Sequence, residues 1–147
     1  MGTFSDPPPC PEEQLILDFF EAVNDKDSDR LLKMFHPDYE SEQPCYPTRN
    51  FKGGEQVLRN YEALSKFKSV KYTVHRTAFK QEGPGRVTGF VECSLQDAEN
   101  KVNVKGVFIY ETQDKLLRKG SLYMTPVQSS GHSIAEHFRI VSEKGKW

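Results

Sequence analysis

Four consecutive segments decide how this chain folds: VKYTVHRTAF (Val70–Phe79), RVTGFVECSL (Arg86–Leu95), VNVKGVFIY (Val102–Tyr110) and LLRKGSLYM (Leu116–Met124). Each is rich in β-branched, aromatic or other apolar residues, which suit a pleated, half-buried surface. Each stops at turn chemistry: Gly83-Pro84-Gly85, then Gln96–Asn100, then Thr112–Lys115. Short connections between successive strands predict an antiparallel meander.

Upstream the period changes. Leu15, Ile16, Phe19, Phe20 and Val23 recur at helical spacing and make one apolar stripe. Asn24–Asp27 break it. A shorter helix is expected from Ser28, as N-cap, with Leu31, Leu32 and Phe35 on one face. His36-Pro37-Asp38 is expected to end it, since a residue before proline disfavours helical geometry. Tyr39–Gln43 read as a short extended segment, and Gly54 to Phe67 as a third helix with Val57, Tyr61 and Leu64 inward. Pro7, Pro8, Pro9 and Pro11 make residues 1–11 a Pro-rich tail that sustains neither helix nor sheet. Residues 12–126 form the domain. Residues 127–147, with Ile134, Phe138, Ile140 and Val141, form a C-terminal extension, a short helix or strand that docks on the body near the pocket.

The fold class is therefore α+β: a cone-shaped, curved antiparallel sheet wrapped by three N-terminal helices around one internal pocket. At 147 residues, 36% hydrophobic and 28% charged, the chain suits a single core. No apolar run approaches the roughly 18 residues of a membrane helix, and no apolar signal core opens the chain, so a membrane partner and secretion are not expected. A net charge of −1 without a basic face argues against a nucleic-acid partner. Cys10, Cys45 and Cys93 match no zinc or disulfide pattern, which suits a reducing, cytoplasmic setting. His36, His75, His132 and His137 lack a matching carboxylate pattern, so no metal and no other cofactor are expected.

The phrase Phe35-His36-Pro37-Asp38-Tyr39, then Ser41-Glu42-Gln43-Pro44, then Phe51-Lys52-Gly53-Gly54 resembles the nuclear transport factor 2-like superfamily, and within it the SnoaL-like branch. Gly106-Val107-Phe108 through Leu122-Tyr123-Met124 resembles the last two strands of that branch. The likeness spans about residues 12–126. It implies the cone fold, and it implies no single activity, because the fold hosts isomerases, cyclases, epoxide hydrolases and binders. Resemblance to ketosteroid isomerase would put an oxyanion-donating tyrosine at Phe19, the catalytic base at Gln43 and a protonated acid at Gly106. None of these residues can do that work. Resemblance to limonene-epoxide hydrolase would use Arg86 with acids at Thr88 and Leu122, which are not acids. The superfamily commonly pairs copies through the outer sheet face, and Val107 and Ile109 suit such a homodimer.

Alternation sorts the candidate pocket lining. Gly106 inward brings Phe108 and Tyr110 inward; Leu122 brings Met124; Thr88 brings Phe90 and Glu92. Val70, Tyr72 and Val74 form the inner set of the first long strand. With Phe19, Gln43, Asn60 and Tyr61, these make an apolar site for a hydrophobic small molecule, tipped by a few polar groups. Glu92 is its one ionisable carboxyl, and burial would raise its pKa into a useful range for proton transfer. Tyr110 and Tyr72 could donate to a developing oxyanion. The expectation is a SnoaL-like enzyme that rearranges a hydrophobic substrate by isomerisation or cyclisation without a cofactor, with Glu92 and Tyr110 as the catalytic pair. Beside it stand a non-catalytic ligand carrier and a dimerisation module of the same fold.

Overall fold

A computed structural model describes residues 7–147; the first six residues of the expected tail lie outside the described residues. Helix α1 spans Pro11–Asn24 and opens with proline at its first position, where the missing N–H costs nothing. Glu13 accepts a hydrogen bond from the Cys10 N–H at 3.4 Å. Of the predicted stripe, Ile16, Phe19 and Phe20 are buried and Leu15 and Val23 partly so; Ala22, outside that stripe, is buried as well.

Helix α2 (Ser28–Leu32) differs from expectation at both ends. Asp27, not Ser28, caps it, accepting from the Arg30 N–H at 3.2 Å. It stops at Leu32, which is exposed, and Phe35 already belongs to strand β1 (Phe35–Glu42). Proline at position 37 therefore sits inside a strand rather than ending a helix. The strand tolerates it because the pairing register slips between Phe35 and Glu40, so no ladder bond needs the missing N–H.

A 3-10 turn at Pro47–Arg49 leads to the two-residue β2 (Phe51–Lys52) and to α3 (Gly54–Leu64). The meander follows as β3 (Val70–Gly83), β4 (Arg86–Asp97), β5 (Val102–Gln113) and β6 (Leu116–Pro126). The strands form one curved, unclosed sheet in the order β2-β1-β6-β5-β4-β3. Every pairing is antiparallel except β1 with β6, which run parallel. The chain reaches that arrangement because α3 and the whole meander intervene between the two strands.

Helix α4 (Ile134–Lys144) ends the chain, capped by the Ser133 hydroxyl and closed by Gly145 at a left-handed φ of 63°. None of its residues is buried. Ile134 and Phe138 are exposed, and Trp147 lies edge-on to Phe138 at 5.9 Å.

The concave side of the sheet meets α1. Phe19 stands at the centre, with ring centroids of Phe20, Phe35, Tyr61, Phe108 and Tyr110 all 5.0–6.3 Å away. Such edge and tilted pairs add about 0.5–1.5 kcal/mol each beyond area burial. Two glycines make the packing possible. A Cβ on Gly89 would meet Ile16 Cδ1 at 2.7 Å, and one on Gly120 would meet the Tyr39 hydroxyl at 2.5 Å. Side chains thus occupy most of the volume under the sheet.

Candidate functional site

Strand registers fix which side chains face α1. Phe108 of β5 pairs with Val91 of β4 and Leu122 of β6; Tyr110 pairs with Gly89 and Gly120; Gly106 pairs with Cys93 and Met124. On β5 and β6 this matches the expected alternation. On β4 it does not. The inner set is Val87, Gly89, Val91 and Cys93, all buried. Thr88, Phe90 and Glu92 lie on the outer face. The physical reason is space: Ile16 and Phe79 press on β4 at Gly89, where only a residue without a side chain fits. Val74, also expected inside, is exposed beside a β-bulge at His75.

Glu92 therefore corrects its expectation in two ways. It is not in the interior, and its carboxyl is not raised. Arg76 grips it with Nε at 3.2 Å and Nη2 at 2.6 Å, and this hydrogen-bonded pairing lowers its pKa. Phe90, expected to line the pocket, is 40% exposed. The Thr88 hydroxyl donates to Glu82 at 3.1 Å. Gln43 lies at the end of β1 and ties down the 44–50 loop: its N–H donates to Asn50 Oδ1 at 2.7 Å, and its amide oxygen accepts from Arg49 at 3.4 Å. Asn60 is exposed on α3 and accepts from Gln56 at 2.8 Å, one turn away.

The remaining candidates do come together. Phe19, Tyr72, Phe108 and Tyr110 are buried in one cluster, with Tyr61, Leu122 and Met124 packed against it. What they form is a core. The hydroxyls of Tyr39, Ser41 and Tyr110 neighbour one another there, and Ser41 and Tyr110 offset part of the rise that burial gives the Tyr39 phenol. Desolvation pushes the phenols of Tyr39 and Tyr72 up to about 12 and holds those of Tyr61 and Tyr110 well above the ordinary value. These hydroxyls are neutral donors across the working pH range. Cys93 is likewise pushed up to about 12 by burial, which keeps it an unreactive thiol. Asp97 is the one buried carboxylate among the described residues. It faces the strand-end turn, held by Ser69 and by Asn100 Nδ2 at 2.6 Å, and these bonds lower its pKa.

Open space borders this core in several places, among them beside Cys93 and beside Phe35. A cavity of about 180 Å³ lies between the α1–α2 turn, the end of α3 and the start of β3. Its lining includes Ala22, Asn24, Leu31, Leu64, Val70 and Tyr72. Asn24 is the residue that sequence reasoning passed over, as a helix breaker. Both atoms of its amide bond the backbone of Tyr72. No residue of 127–147 lines the cavity. Among the described residues, no three His, Cys, Asp or Glu side chains gather as a metal ion would need, and no helix is long and apolar enough to cross a membrane.

A family model described as the SnoaL-like domain matches residues 16–119. The chain belongs to the SnoaL-like family. Solved structures with the same cone fold include a proposed ketosteroid isomerase from Kribbella flavida DSM 17836, 18% identical, covering 86% of each chain with a TM-score of 0.66. An LEH-like epoxide hydrolase from M. tuberculosis is 15% identical, covers 78% of this chain and 83% of its own, and has a TM-score of 0.61. An NTF2-like protein of unknown function from Cytophaga hutchinsonii is 17% identical over 82% of this chain and 95% of its own, with a TM-score of 0.57. At such identities the likeness is one of fold. No curated protein sequence matches the chain. This SnoaL-like domain thus shares its frame with catalysts and with proteins of no known activity, and its own side chains must decide between them.

Proposed function

We propose that this SnoaL-like domain is a non-catalytic binding module that pairs with a second copy of itself through the outer face of its sheet. The observation that carries this reading is the split between its two expected catalytic groups. Tyr110 is inside the aromatic core, whereas Glu92 is outside, neutralised by Arg76. An isomerisation or cyclisation by proton transfer would need both on one substrate, and the sheet stands between them. Among the described residues, the interior offers phenols and hydrocarbon, and its one buried carboxylate, Asp97, is engaged at a strand-end turn by Ser69 and Asn100.

The outer face supports self-association. Phe90 (40% exposed) lies across from Ile109, and Tyr123 (43% exposed) from Val107, so four apolar side chains share one surface. The Arg76–Glu92 pair borders it through Glu92, which sits opposite Val107. Central apolar residues with a charged margin are what a symmetric, self-complementary interface needs. Sedimentation equilibrium tests this: a dimer is expected for the native chain and a monomer of unchanged circular dichroism for Phe90→Glu/Tyr123→Glu. A native chain that stays monomeric up to its solubility limit overturns the pairing. Proton-transfer turnover of a hydrophobic ketone or epoxide that Glu92→Gln abolishes overturns the non-catalytic reading.

A further inference from the structure

The cavity beside the core has a definite size and a definite wall. We infer that it is a ligand site for one uncharged, mainly apolar molecule about as large as a single six-membered ring. The inference rests on the binding-module reading above and sharpens it.

Volume sets the scale, although one side of the space opens to solvent. The space is about 180 Å³. A dry apolar cavity of roughly 150 Å³ accepts benzene, whereas pockets for drug-sized ligands run from about 300 Å³ upward. The walled part of the space therefore suits a single ring. The wall sets polarity. Ala22, Val23, Leu31, Leu64 and Val70 supply hydrocarbon. Most polar side chains around it are already engaged within the protein, and Ser28 lies exposed at its edge. The Asn24 amide holds Tyr72 N–H and C=O at 2.8 and 2.9 Å. Lys26 Nζ donates to Ser65 O at 3.2 Å, and the Ser65 hydroxyl donates to Glu62 O at 2.7 Å. Asp27 caps α2. Both charged groups are exposed at the rim, so an ion drawn inside would lose its water without gaining a buried partner. The phenols of Tyr61 and Tyr72 meet at 3.3 Å. A pair of hydroxyls shares one proton and leaves the second free, so a single hydroxyl or carbonyl on the ligand has one donor to meet.

Amide NMR of the full chain, titrated separately with benzene, phenol, benzoate and naphthalene, tests the proposal. Benzene and phenol should shift residues 22–31 and 61–72 saturably, while benzoate and naphthalene leave them unmoved. Leu64→Trp should abolish the benzene shifts with the folded spectrum retained, and Val70→Phe serves as a second filling variant should the first not fold. Tyr72→Phe should weaken phenol about threefold to tenfold and leave benzene unchanged. No benzene shift near the cavity, shifts that survive both filling variants, or equal binding of benzoate or naphthalene would each overturn it. A monomeric native chain or a measured turnover is read in a different experiment from the benzene shifts, so failure of the reading above and failure of this site are distinguishable.

Discussion

Asn24 and Tyr72 join the end of α1 to the free edge of the sheet: Asn24 Nδ2 donates to Tyr72 O at 2.9 Å, and Tyr72 N–H donates to Asn24 Oδ1 at 2.8 Å. Strand β3 is the last in the sheet order, so its outer backbone groups have no strand partner. One side-chain amide imitates that missing strand, covers the edge there and lines the cavity.

Asn24→Ala removes both bonds and leaves a half-buried N–H and C=O unpaired. The expected loss is about 1–3 kcal/mol of unfolding free energy, read from urea denaturation. A change within error would show that water replaces the amide at no cost.

Gly120 gives way to no other residue without strain. Its Cβ would lie 2.5 Å from the Tyr39 hydroxyl and 2.8 Å from Tyr110 Cε1. Gly120→Ala should cost about 1–3 kcal/mol by overpacking. Adding Tyr39→Phe should restore part of that loss, because the nearest clashing atom is then gone. Strict additivity of the two changes in thermal or chemical unfolding would contradict this geometry.

Alkaline pH should unfold the domain through its phenols. The folded state keeps the Tyr39 and Tyr72 protons until about pH 12, while the unfolded chain releases them near the ordinary value of 10.0. Stability is therefore fully present below the unfolded value and falls as pH rises between the two, by about 1.4 kcal/mol per pH unit for each such group. Urea midpoints measured across this window, with phenolate absorbance as the second signal, check it. A midpoint independent of pH there would contradict the buried placement.

Glu92 should titrate low. Its carboxyl is lowered by the Arg76 guanidinium, so its contribution to stability is present above the unfolded carboxylate value and fades as pH drops through the lower folded one. The pair is solvent-facing, with side chains 81% and 39% exposed, so Glu92→Gln should change stability little. Side-chain carbon NMR checks the first point: the midpoint should lie below the usual glutamate range and move up in Arg76→Gln. A midpoint above that range would return Glu92 to the interior.

The pattern of side chains made the element order legible. The four long strands begin at Val70, Arg86, Val102 and Leu116, where alternation and turn chemistry place them, and each runs two to four residues further than expected. The apolar stripe of α1 is buried as its spacing requires. The start of β1 is not legible locally, because the residue before a proline disfavours a helix and nothing local reveals a register slip that lets a strand absorb the proline. The inward face of β4 is hidden for a related reason. Val87, Gly89 and Val91 alternate with Thr88, Phe90 and Glu92, so both faces carry apolar residues, and the period alone cannot choose between them.

The sequence by itself determined the α+β cone, its helices and its meander, because hydrophobic period and turn residues act over a few neighbours. Only the tertiary structure decided what fills the cone. Whether Tyr39, Tyr110 and Phe19 leave a hollow or close it depends on how closely α1 settles against Gly89 and Tyr39 against Gly120, contacts between residues more than 70 positions apart. The same long-range packing sent Glu92 outward to Arg76 and left a ring-sized space beside Asn24. That placement is a matter of volume in three dimensions, which no local pattern records.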